Sequence, residues 1–202
     1  MYRVDTGLEV HDFVVGTEYR DEIVRDRRAR EQLLVVESSG EMNLALYIEP
    51  AVLANLVTHD PAHRLDDRNL GDFLLAVAGV SHFIYAVCCA QVDRPVSQIE
   101  LELQAEVDKY VTCLLATEPE TRVSATLRRR LFGDAEYEPD LDHEEQGRYR
   151  AANDNAQRYA AWLEVAFVTP RRIPEMLAEL RRFYRQGLAA KLASCAMPRR
   201  AA

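Results

Sequence analysis

The sequence predicts a helix-dominant α+β fold, with an N-terminal β-hairpin layer packed on a bundle of four or five α-helices. Three observations predict it. Apolar alternation with turn chemistry is confined to the first 50 residues. Helical periodicity occupies most of the stretch from 68 to 194. Apolar residues make up 48% and charged residues 29% of 202, the composition of an ordinary soluble domain with a sizeable core.

The elements follow in order. "LEVHDFVVG" reads as a short strand that Gly16 ends. "TEYRDEIVRDRRARE" from Thr17 to Glu31 fits either a short helix capped by Thr17 or an extended charged arm, and the residues leave both open. "EQLLVVESSGEMNLALYI" reads as a hairpin: Leu33 to Val36 form one arm, "SSGE" the turn, and Met42, Leu44, Leu46 and Ile48 alternate in the other. "EPAVLANLV" places proline at a first helical position.

Four longer helices and one short one are expected next. "NLGDFLLAVAGVSHFIYAVCCAQ" has Asn69 as its cap, and "DRPVSQIELELQAEVDKYVTCLLAT" has Asp93 as cap with Pro95 just inside. Residues 99–108 alternate strictly and fit a strand as well. Their Leu, Glu, Gln and Ala content favours helix. "TRVSATLRRRLF" is short and amphipathic, and "QGRYRAANDNAQRYAAWLEVAFV" is long. In "IPEMLAELRRFYRQGLAAKLAS" Ile173, Met176, Leu177, Leu180, Tyr184, Leu188 and Leu192 keep one helical stripe. The whole reads as one domain, 1–202: a β-rich N-terminal stretch over residues 1–50, central helices over 51–132, an acidic linker over 133–147 and a C-terminal helical pair over 148–194. "MPRRAA" reads as a frayed tail.

A net charge of −8 disfavours nucleic acid and membrane surfaces, although a local Arg-rich face remains open. The 25 basic residues include only two lysines, Lys109 and Lys191, a skew that GC-rich coding explains. Cys88, Cys89, Cys113 and Cys195 have no framework or C-x-x-C spacing and read as buried reduced thiols of a cytoplasmic protein. No apolar leader opens "MYRVDTGLEVHD".

Several stretches invite a chemical reading. "DAEYEPDLDHEE" from Asp134 has the acidic spacing of a helix–loop–helix calcium site, but the place that requires glycine is Pro139. A solvated linker is the better account. Phe73 to Ala90 carries no charge and reaches the lower edge of a membrane span. Ser81 and His82 at its centre favour a core helix buried on all sides. Ala78, Gly79, Ala86 and Cys89 near His82 would let another helix come close.

His82 is the main candidate for a catalytic group, with Glu102 and Glu106 of the next helix as carboxylate partners and Glu106 also able to pair with Lys109. No Glu-x-x-His pair exists to hold a di-iron centre, and Pro61 spoils a shared face for His59 and His63, so no metal or cofactor is expected. Arg181, Arg182 and Arg185, beside Phe183 and Tyr184, are candidates for binding an anionic ligand. Nucleotide-loop and hydrolase motifs do not occur.

The expectation is therefore a soluble cytoplasmic interaction or scaffold module, acting as a homo-oligomer or as a subunit of a larger complex. Its partner would be another protein or itself, with Trp162, Phe167 or Phe183 among the contacts. The alternative is a small enzyme built on His82 with Glu102 or Glu106.

Overall fold

A computed structural model describes residues 1–24, 28–38, 41–117, 119–133 and 143–196. The fold is α+β with helix dominant: eight α-helices and one three-stranded sheet among the described residues. The chain divides into two compact units, a sheet unit of Asp5–Arg94 and a helical unit of Met1–Val4 with the chain from Pro95 onward. The boundary falls inside the block 51–132. The hairpin turn at 39–40, the heart of the acidic linker with its calcium-like spacing, and the tail from Met197 lie outside the described residues.

In the sheet unit, a 3-10 turn at Val10–Phe13 leads into β1 (Val14–Val15), then α1 (Thr17–Ile23), β2 (Glu31–Ser38), β3 (Glu41–Ile48), α2 (Pro50–Thr58) and α3 (Leu70–Ala90). The strand expected over "LEVHDFVVG" shrinks to its two valines, because His11 and Asp12 belong to the 3-10 turn. Thr17 begins α1 as its first helical residue, and Gly16 holds the cap position. The sheet order is β1-β3-β2, with β1 parallel and β2 antiparallel to β3.

The register divides the hairpin cleanly. Glu31, Leu33 and Val35 stand opposite Ile48, Leu46 and Leu44 and so share one face. Leu33, Leu44, Leu46 and Ile48 on that face pack with Phe83 and Val87 of α3 and Val52 of α2. Leu34, Ala45 and Tyr47 point the other way, where Val15 and Val24 cover them and the Arg20 guanidinium lies 4.3 Å over the Tyr47 ring.

Helix α3 is not buried on all sides: Val80 is 41% exposed, while Phe83, Tyr85 and Val87 are buried. It is the one described helix long and apolar enough to cross a membrane by length and composition. What approaches Gly79 is the sheet. A Cβ built on Gly79 would meet Glu31 Cγ at 2.8 Å and Leu46 Cδ1 at 3.0 Å. Asn69 sits at the cap position but does not cap with its side chain. Its amide instead donates to the carbonyls of His59 and Arg64 and accepts from the Asp66 N–H, which fixes the loop before the helix.

The helical unit holds α4 (Gln98–Ala116), α5 (Thr121–Arg128), α6 (His143–Leu163), α7 (Ile173–Tyr184) and α8 (Leu188–Ala196), with π turns at Arg129–Gly133 and Glu164–Val168. Residues 99–108 are helical, as propensity indicated over alternation. The start differs: Ser97, not Asp93, takes the cap position, and Asp93 has a left-handed backbone at φ 51. The C-terminal stripe is also broken. Instead of one helix from Ile173 to Ser194, the chain turns at Arg185–Gly187, and α8 begins with the Lys191 N–H bonded to the Gly187 carbonyl. Helix α6 packs against both α4 and α8.

Candidate functional site

His82 enters the site from the middle of α3, on the side facing β2. The strand register puts Glu31 on the inner face of β2, and the absence of a Cβ at Gly79 leaves room for its side chain. The result is a pair: His82 Nδ1 lies 3.4 Å from Glu31 Oε1, with the two side chains only 11% and 12% exposed. A carboxylate at that distance orients the imidazole.

Glu106 receives the Lys109 ammonium at 2.5 Å, the pairing that the sequence suggested, and both belong to α4 in the helical unit. Glu102 lies half-buried on the same helix. The structure therefore brings His82 to Glu31 within its own unit. The three arginines are engaged too. Arg182 makes a two-pronged bond to Glu179 at 2.5 and 2.9 Å, Arg185 donates to the Arg181 carbonyl, and Arg181 donates to the Met1 carbonyl at 3.2 Å. His63 meets Asp60, at 3.2 Å on the surface. Among the described residues no group of three or more His, Cys, Asp or Glu is placed to hold a metal ion.

Two buried polar clusters in the helical unit went unread in the sequence. In the first, Tyr110 and Ser124 share a 2.7 Å hydrogen bond, and Ser124 donates to Glu164 at 2.5 Å. Arg128 closes the set with two bonds to the same carboxylate, at 3.0 and 3.2 Å. Burial pushes the Tyr110 phenol up to about 12. The π turn that starts at Glu164 accompanies this arrangement.

The second cluster is deeper. Lys191, fully buried, donates to the Gln104 carbonyl oxygen. That fixes the amide so that its NH₂ donates to Asp108 at 2.9 Å and to the Tyr2 hydroxyl at 3.1 Å. Tyr2 in turn donates to Asp108. Burial first, and Asp108 second, hold the Tyr2 phenol far above its usual value. One signal was available: Lys191 falls inside the apolar stretch around Leu188 and Leu192, where a lysine needs a partner.

Phe183 is core and not a contact residue, since it is fully buried and stacked on Tyr159 at 4.1 Å. Trp162 and Phe167 are half-buried and meet edge to face at 5.3 Å. No family model, curated protein or solved structure matches the chain.

The surface offers a different kind of site. β2 pairs with β3 on one side, and among the described residues no strand pairs with its other edge. Val35 and Val36 point to opposite faces, yet both are open, 48% and 38% exposed, and Met42 on β3 is 41% exposed. An eight-residue edge strand with uncovered valines on both faces is a template for pairing with another chain.

Proposed function

We propose that this chain is a protein-interaction module, acting by self-association or as a subunit of a larger complex, with the edge of β2 as its contact. That edge carries the reading, because among the described residues no strand pairs with it and its valines are exposed. The environment of His82 supports it as well. That imidazole is tied to Glu31 inside the sheet unit, as a structural histidine would be. Light scattering on the purified protein tests the proposal. The expected mass is at least twice the 23.0 kDa of one chain, or that of a stable complex with a co-purified partner. A strict monomer at tens of micromolar with no partner overturns it.

A second reading, a small enzyme at His82, has one observation in its favour. The imidazole does meet a carboxylate, that of Glu31. This reading gains if the protein proves monomeric and if both His82→Gln and Glu31→Gln fold normally but lose a detectable activity.

A further inference from the structure

We propose that Tyr2 is the resident occupant of a phenol-binding site in the helical unit, and that the site accepts a tyrosyl or phenol group from another molecule when Tyr2 leaves.

The site is built without the N-terminal segment. Its floor is Gln104 and Asp108 on α4 and Lys191 on α8, and these three side chains are 0%, 6% and 0% exposed. Its wall is the Tyr184 ring at the end of α7, on which the Tyr2 ring stacks with centroids 4.1 Å apart. The polar groups match a phenol and no simpler ring. Lys191 holds the Gln104 carbonyl oxygen, so the amide must present its NH₂ to the hydroxyl oxygen, at 3.1 Å. Asp108 accepts the hydrogen bond that the hydroxyl donates. A phenol thus finds one donor for its oxygen and one acceptor for its proton, whereas a hydrocarbon ring would cost Gln104 and Asp108 one hydrogen bond each. Burying an ammonium and a carboxylate is costly when an apolar core would serve for packing alone.

The occupant comes from a segment remote in sequence. Met1–Val4 belongs to this unit, whose chain resumes at Pro95. The Met1 carbonyl accepts a bond from Arg181. The next residue, Arg3, has a left-handed backbone at φ 54, a conformation that persists only while neighbouring contacts hold it.

The test uses the full chain carrying Tyr2→Gly. 4-Methylphenol, the bare tyrosine side chain, is expected to bind saturably and to raise the melting temperature. Toluene should bind at least ~10-fold more weakly, the loss of a hydrogen bond to a carboxylate. Failure of 4-methylphenol to saturate, or equal affinity for toluene, overturns the proposal. N-Acetyl-tyrosinamide separates the sources: tighter binding than 4-methylphenol points to a tyrosine in a peptide, weaker binding to a free small phenol, and either upholds the site. Should Tyr2→Gly not fold, the wild-type chain answers instead. N-Acetyl-tyrosinamide, and not N-acetyl-phenylalaninamide, should shift the Met1 methyl resonance saturably as it displaces Tyr2. No shift with either overturns the proposal.

Discussion

Glu31 reaches His82 across the place where Gly79 has no side chain. The carboxylate of the strand and the imidazole of the helix sit 3.4 Å apart, with Glu31 Cγ only 2.8 Å from where a Cβ at position 79 would be. One glycine therefore sets how closely α3 lies on the sheet.

Gly79→Val should lower stability by about 2–3 kcal/mol, because the added carbons strike Glu31 and the fully buried Leu46 in a packed interior. Gly71, in the first turn of the same helix, has nothing within 4 Å of its Cβ position. Gly71→Ala should therefore stabilise by about 0.4–1 kcal/mol. Urea unfolding of the two variants measures both. A neutral Gly79→Val would mean that the sheet is not held against α3 at this point.

Lys191→Ala should cost about 3 kcal/mol or more, since it empties a fully buried site and strips the Gln104 carbonyl of its donor. Arg185→Ala, on the exposed end of α7, should cost under about 0.5 kcal/mol. Thermal unfolding of the pair is the check, and equal losses would contradict the buried network.

Alkaline pH should weaken the fold in a defined window. Burial pushes the Cys113 thiol up to about 11 and the Cys195 thiol up to about 12, from a usual value of 9.0. Tyr110 rises from 10.0 to about 12. All three are acids that keep their proton in the folded chain and release it earlier in the unfolded one. Their contribution is complete below pH 9 and declines as pH climbs from 9 towards 12, by on the order of 2 kcal/mol per group. Melting temperatures at pH 8, 9, 10 and 11 should fall progressively above 9, and Cys113→Ala with Cys195→Ala should flatten the fall. At pH 8 a thiol reagent should label Cys88, half-buried, before the other three, which are buried.

Much of this architecture was legible from residue patterns. The apolar run Leu33 to Val36 and the alternation from Met42 to Ile48 gave the hairpin, and Pro50 gave the start of α2, because these signals are local. Starts and stops that depend on neighbours were not. Asp93 looks like a cap, but the chain is left-handed there and the helix waits until Ser97. The stripe from Ile173 to Leu192 hides a break, since Leu188 and Leu192 stay in phase with Leu180 across the turn at Gly187. Partners distant in sequence were beyond reach. The carboxylate found beside His82, Glu31, lies 51 residues earlier on a strand. Its only trace was the phase that sets Glu31 on the same face as Leu33 and Val35. Tyr2 and Asp108 lie 106 residues apart, and nothing near either one announces the other.

The interaction reading rests on the edge of β2, and one substitution tests it most directly. Val35→Lys places a charge on a side chain that is 48% exposed, so it should leave the fold within about 0.5 kcal/mol of wild type while blocking strand pairing at the edge. Light scattering on both proteins at matched concentration is the measurement. Wild type should scatter as an assembly of two or more chains, or as a complex with a bound partner, and Val35→Lys as a folded monomer of 23.0 kDa. Identical masses for the two proteins would contradict the edge as the contact.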